Sequence, residues 1–314
     1  MSPQQQPHQT CSNRMSPQQQ PHQTCSNNVT STAATSNLFQ QNVTSTAATS
    51  NLFQQNVTST AAKSNLFQPN VLKLNQDKTE LIVFTPKHRT SVTSKYQLTI
   101  GNSVIQAVTC VKNLGVYFDH TLSMEKQVCS ISKACYYQVR NIGRIRQFIT
   151  MDACKTLVHS LVTSRLDYGN ALLYGVPANV SGRLQKLQNT AARLVTRTRK
   201  RDHITPVLMS LHWLPVEYRF QYKMLMYTYK ALNGLAPMYL RDLVTPYVPS
   251  RSLRSEHENY LVEPKTRTKT YGDRRFDKAA ASLWNRLPLK IRSARKIDSF
   301  KTLLKTHLFK LAFN

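Results

Sequence analysis

No two of the nine aspartates in this 314-residue chain are adjacent, and acids of both kinds number only 15 against 42 Lys+Arg. Two-metal phosphoryl transfer needs clustered carboxylates to hold its cations, so that chemistry has no evident seat here. GxSxG, HExxH and P-loop patterns are also missing, which removes the commonest signatures of acyl transfer, zinc hydrolysis and nucleotide hydrolysis. No apolar run approaches the roughly 20 residues that span a bilayer. The opening MSPQQQPHQT has neither a basic segment nor an apolar core, so secretion is not expected. The Asn-Val-Thr triplets at Asn28, Asn42 and Asn56 are therefore not read as glycan sites. The six cysteines form no CxxC pair and read as reduced thiols of an intracellular protein, nuclear or cytoplasmic. His8/Cys11 and His22/Cys25 share a spacing, but the second pair copies the first, so neither a metal nor a cofactor is expected.

What is present is positive charge, and it is unevenly placed. Residues 1–69 carry only Arg14 and Lys63 and no acid, so the remainder holds 40 of the 42 basic groups and all 15 acids. So basic a region repels itself unless a polyanion covers it, which makes nucleic acid the expected partner.

Residues 1–69 are tandem copies. MSPQQQPHQTCSN occupies 1–13 and 15–27; NVTSTAATSNLFQQ occupies 28–41 and 42–55, then recurs at 56–69 with Lys63 and Pro69 changed. Each unit offers too little apolar surface to offset chain entropy, so a disordered tail is expected over 1–69. Order is expected from Asn70. Glu80–Thr85 is a short β-rich run closed by Pro86. Tyr96–Ile100 and Ser103–Ala107 flank Gly101-Asn102 as a hairpin, and Thr109–Phe118 is a further β-branched stretch. From Ser123 the apolar period becomes helical. Helices are predicted at 123–147, 151–174, 180–198, 203–210, 215–233, 236–244, 274–286 and 298–312, with a loop over 245–272. The fold class is then mainly α with a small antiparallel β portion. Four segments follow: a tail (1–69), a β-rich part (70–122), a basic helical part (123–202) and a helical carboxyl-terminal region (203–314).

At 100° per residue, Lys126, Lys133, Arg140 and Arg144 fall within about 40° of one another, with Tyr137 on the same stripe. Val128, Ile131, Cys135, Val139 and Ile142 fall opposite. The 180–198 helix repeats the design. Leu184, Leu187, Ala191, Leu194 and Val195 form its apolar face. Arg183, Lys186, Arg193 and Arg197 line another, and Lys200 and Arg201 extend it. Surface helices usually mix signs to gain i,i+4 pairs. These stripes contain no acid, and their spacing suits a sugar-phosphate backbone without reading bases. Trp213 and Trp284, each just before a Leu-Pro, are expected to be buried at helix boundaries. Asp167 is expected to contact a nearby arginine. Cys154 and His159 lie five apart on different faces of one helix, which excludes a nucleophile–base pair.

The blocks VLKLNQDKTELIVF (71–84), KNLGVYFDHTLSM (112–124), SRLDYGNALLYGVP (164–177), LQKLQNTAARLV (184–195), HITPVLMSLHWLPVEYRFQYK (203–223), YKALNGLAPMYL (229–240), RRFDKAAASLWNRLP (274–288) and FKTLLKTHLF (300–309) occur in this order. Together they resemble the carboxyl-terminal part of the reverse transcriptase of non-LTR (LINE-type) retrotransposons; residues 1–69 lie outside the resemblance. It implies the end of a palm, then a helical thumb, then a helical carboxyl-terminal region. LKLNQDKTE resembles motif D, which would place Lys78 near a nucleotide's phosphates. NLGV resembles the primer grip, which would place Leu114 and Gly115 near a primer end. The thumb would track the backbone of RNA or an RNA/DNA duplex. The fingers and catalytic aspartates of that family should precede residue 70, where the repeats stand instead. The expectation is a catalytically incomplete polymerase fragment that retains non-specific nucleic-acid binding. The alternatives are one piece of a longer active RNA-directed DNA polymerase, or a pseudogene product.

Overall fold

A computed structural model describes residues 78–87, 96–100, 103–249, 251 and 258–314. The repeats of 1–69, residues 71–77 of the first block and the Gly101-Asn102 turn lie outside the described residues. Within them the fold is α+β and mainly helical, with every named strand ahead of Met124.

β1 (Leu81–Ile82), β2 (Gln97–Ile100) and β3 (Ser103–Val108) make one sheet in the order β1-β3-β2. β2 and β3 pair antiparallel from Gln97↔Gln106 to Ile100↔Ser103, the register the alternation predicts. β1 departs from the expected antiparallel arrangement: it joins β3 in parallel, with Leu81 opposite Ala107. The predicted stretch 109–118 is also not one strand. β4 (Cys110–Asn113) and β5 (Val116–Asp119) form a separate hairpin, closed by Leu114-Gly115. Both turn residues have positive φ, 47° and 83°, the twist that a two-residue hairpin requires. Leucine rarely adopts this conformation, and nothing in its side chain announces a turn.

α1 (Glu125–Ile145) starts where β5 ends, and Asp119 joins them. Its Oδ2 accepts from Ser123 N at 2.8 Å, its Oδ1 from Met124 N at 2.7 Å, and Thr121 Oγ1 donates to Oδ2 at 2.6 Å. A carboxylate at a helix amino end satisfies free amides and opposes the helix dipole. Partial burial pushes its pKa up, but these hydrogen bonds outweigh that and leave it below the ordinary aspartate value. A lowered pKa adds stability above the unfolded aspartate's pKa and loses it as pH falls through the folded value. Asp119→Ala is therefore expected to cost about 1 kcal/mol near neutrality. The deficit should shrink in acid, as thermal melts across pH would show; a deficit constant from neutrality to pH 2 contradicts the capping role.

The predicted helix 151–174 is broken. α2 (Met151–Val158) runs through a π-helical turn (His159–Thr163) into α3 (Ser164–Asp167). Gly169 at φ 62° then redirects the chain into a short 3-10 turn, Asn170–Leu173. Asp167 meets Arg219, as expected of it: Nε donates to Oδ1 at 2.9 Å and Nη2 to Oδ2. α4 (Ala178–Thr196), α5 (Thr205–Ser210) and α6 (Val216–Leu232) follow close to their predicted positions, while the predicted helix 236–244 shrinks to one turn, α7 (Met238–Arg241). α8 (Phe276–Asn285), the unanticipated α9 (Leu289–Arg292) and α10 (Ile297–Phe313) complete the chain. No helix among the described residues is long and apolar enough to cross a membrane.

Two apolar cores result. The first joins Val116 of β5 to α1, α2, α4, α5 and the start of α6 as far as Phe220. The second takes the rest of α6 with α8, α9 and α10. α6 thus belongs to both, and the expected boundary near 202 does not separate two cores. Both tryptophans are buried as predicted: Trp213 lies in the first core, and Trp284 in the second, stacked on Phe300, whose ring also stacks on Tyr229.

One long-range clasp ties the carboxyl-terminal region to the start of α1. Arg274 donates from Nη1 to Leu122 O at 2.7 Å, from Nε to Tyr174 O at 3.2 Å and from Nη2 to Leu172 O at 3.3 Å. Tyr271 Oη donates to Thr121 O at 3.1 Å. Gly175 makes room for the clasp, since a Cβ there would lie 2.7 Å from Arg274 Cγ.

Candidate nucleic-acid interface

The α1 stripe forms as its periodicity predicts. Lys126, Lys133, Tyr137, Arg140 and Arg144 are all exposed, while Val128, Ile131, Cys135, Val139 and Ile142 are buried. On α4, Arg183 and Lys186 are exposed, as are Lys200 and Arg201 beyond its end.

How the two helices meet decides whether the stripes act together. Near their amino ends, Arg183 Nη1 approaches Cys129 Sγ at 3.3 Å. Near their carboxyl ends, a methyl on Gly143 would lie 3.8 Å from Leu194 Cδ1, and Arg197 Nη2 donates to Arg146 O at 3.0 Å. Amino end meets amino end, so α1 and α4 pack in parallel. The row of α1 that faces α4 is then Cys129, Tyr136 and Gly143, whose centre lies about 65° from that of the cation stripe on the helical projection. On α4 the facing row is Arg183, Leu187 and Leu194. On α1 this row separates the buried face from the stripe; on α4 it runs along their boundary, taking Arg183 from the stripe and Leu187 and Leu194 from the apolar face. Both stripes therefore border one seam, on its solvent side.

The seam's far end is built differently from expectation. Arg193 is only half-exposed; its Nε donates to Arg199 O at 3.3 Å and its Nη2 to Asp202 O at 2.9 Å. Arg197 sits at φ 57° as the C-cap of α4 and is bonded to Arg146 O. Arg146 itself donates to Leu194 O at 2.9 Å, Ile149 O at 3.0 Å and Val195 O at 2.8 Å. Helix carboxyl ends leave carbonyls without partners, and cations there are favoured by the dipole. Arg146 caps α4, Arg197 serves the carboxyl end of α1 and Arg193 braces the loop after α4, so Arg193 and Arg197 have less left for a ligand than the stripe alone suggests. The signal for Arg146 was in the sequence: it projects about 160° from the α1 stripe, on the core side. The exposed ring of Phe148, 78% accessible, was not anticipated.

Leu114 and Gly115 lie away from this seam, at the hairpin tip. Leu114 is 66% exposed, and its carbonyl accepts from Tyr168 Oη at 2.5 Å. Tyr168, from SRLDYGN, thereby props the strained turn from a segment distant in sequence. Lys78 is exposed, three residues ahead of β1.

No group of three or more His, Cys, Asp or Glu among the described residues is placed to hold a metal ion. Cys154 is buried, and burial raises its thiol pKa despite Arg146 and Arg197 nearby; burial likewise lifts Cys135 to about 11. Neither is an activated thiolate. Exposed His159 packs edge-on to Trp213 at 5.4 Å.

No family model matches the chain, and neither a curated protein nor a solved structure matches it.

Proposed function

We propose that this chain is the duplex-holding, carboxyl-terminal portion of a reverse transcriptase of the non-LTR retrotransposon kind. It performs no polymerase chemistry of its own. It holds RNA or an RNA/DNA duplex by the sugar-phosphate backbone, without choosing sequence. One observation carries this reading: parallel packing of α1 and α4 sets two acid-free cation stripes on the same side of one seam. Phosphate-directed cations supply affinity and steep salt dependence but no base discrimination.

A second reading makes the chain one piece of a longer active polymerase. The exposed Leu114, held in a left-handed turn by Tyr168, favours it, because backbone strain tends to persist where function fixes it. An in-frame Asp-Asp loop encoded upstream of the Asn70 codon would decide for that reading.

Two measurements test the first reading. Given template, primer, Mg²⁺ and deoxynucleotides, the purified chain should extend nothing above a no-protein control. In fluorescence anisotropy it should bind duplexes of unrelated sequence with equal affinity, losing affinity steeply as salt rises. Extension above the control, or a salt-independent preference for one sequence, overturns the proposal.

A further inference from the structure

We propose that residues 265–269 form a second, sequence-distant half of this interface: a basic loop that continues the α1 stripe beyond the helix's amino end and holds the same duplex. The inference rests on the reading above.

Lys265, Arg267 and Lys269 are exposed and alternate with Thr266 and Thr268. The threonines close the loop on itself. Thr266 Oγ1 donates to Asp273 Oδ1 at 2.5 Å, Thr268 Oγ1 accepts from Gly272 N at 3.0 Å, and Thr268 O accepts from Asp273 N at 3.2 Å. Gly272 permits the closure, since a Cβ there would lie 2.5 Å from Thr268 O. With the threonines so engaged, the cations are left outside. None of the three joins an ion pair among the described residues. The neighbouring acids are committed elsewhere: Asp273 to Thr266, Glu263 to Lys278 at 2.6 Å, and Asp119 to its cap.

The loop's placement comes from the clasp. Tyr271, two residues past Lys269, bonds Thr121 O, and Arg274 bonds Leu122 O. Those carbonyls precede Lys126, the first cation of the α1 stripe, by five and four residues. Loop and stripe therefore meet at the amino end of α1 although some 140 residues separate them in the chain. Between Lys265 and Lys269 every residue is Lys, Arg or Thr. That suits a line of phosphates better than a bilayer surface, which favours apolar side chains that insert.

Length makes the proposal measurable. From Lys126 to Arg144, α1 rises about 27 Å, which spans about eight base pairs. The loop lies past that span, so only a longer duplex reaches it. The test compares the full chain with K265Q/R267Q/K269Q, in anisotropy titrations against labelled duplexes of about 8 and about 20 base pairs at several salt concentrations. On the long duplex the variant should bind about tenfold or more weakly, with a salt slope flatter by about two to three units. On the short duplex it should match the parent within about twofold. Equal losses at both lengths, or no loss at either, overturn the loop's role. Loss of binding to phosphatidylserine vesicles with duplex binding intact also overturns it and assigns the loop to membranes. K126Q/K133Q/R140Q/R144Q is the separate arm. If that variant binds both lengths like the parent, the helix-pair reading has failed, whatever the loop does.

Discussion

Changing Lys126, Lys133, Arg140 and Arg144 together to glutamine should flatten the dependence of log K on log salt by about three to four units and weaken binding to every duplex sequence alike, if the proposed function holds. The expectation follows from the α1 geometry. All four cations are exposed on one stripe, while the opposite face is committed to the first core. Each phosphate neutralised by such a cation releases counterions and adds about 0.9 to the slope. None of the four has an acidic partner among the described salt bridges, so removing them breaks no internal pair. Thermal stability should stay within about 0.5 kcal/mol of the parent, as for surface changes generally. The matched control changes Lys290, Arg295, Lys305 and Lys310, equally exposed cations of the α9–α10 region. Equal losses from the two sets would show a generally basic protein with no defined track. Changing Arg193 and Arg197 instead should chiefly lower stability, because these side chains serve carbonyls of the loop after α4 and of the carboxyl end of α1.

Arg274→Ala should destabilise the fold by about 3 kcal/mol, seen as a melting temperature lower by roughly 6–12 °C. One guanidinium serves the carbonyls of Leu122, Leu172 and Tyr174, which come from two separate segments. Its removal strips all three at once, and a bond to a charged donor is worth more than a neutral one. Burial lowers the Arg274 pKa from the ordinary arginine value, while Asp119 acts in the other direction; the group stays charged at any physiological pH. Arg274→Lys should recover only a minor part of the loss, since a compact ammonium lacks the planar fork that reaches three acceptors. Gly175 supplies the internal check. Gly175→Ala is strained twice, by φ 70° and by the 2.7 Å approach to Arg274 Cγ. In the Arg274→Ala background the second strain disappears, so the two changes together should cost less than their sum. Strict additivity would mean that the arginine does not occupy the space the glycine leaves.

The helical faces of α1 and α4 were legible because burial in a helix recurs every 3.6 residues, and both sequences keep that period for five turns. The β2–β3 register was legible because alternation and a two-residue spacing agree. The Leu114-Gly115 turn was not, because leucine carries no turn signal and the conformation is sustained by Tyr168, which lies 54 residues away. The break after Asp167 was missed for a related reason: the apolar pattern continues through Gly169, and only backbone conformation marks the change of direction. Charge was read correctly as a face but incompletely as a role. Arg146, Arg193, Arg197 and Arg274 all serve main-chain carbonyls, some across 48 to 152 residues. A basic side chain looks the same in sequence whether its partner is a phosphate or a distant carbonyl.

Because α6 lends one stretch to each core, the order of synthesis matters. Once Phe220 has left the ribosome, the first core has all its fully buried members among the described residues. Met224, Leu225, Met226 and Tyr229 then wait for partners that arrive only as translation passes Trp284, Phe300 and Leu308. At roughly 5–20 residues per second that interval is about 4–16 s. Throughout it the nascent chain carries a helix settled at one end and bare at the other. Such a chain presents a timed opportunity for chaperone capture, and a translational pause between codons 232 and 276 would lengthen it.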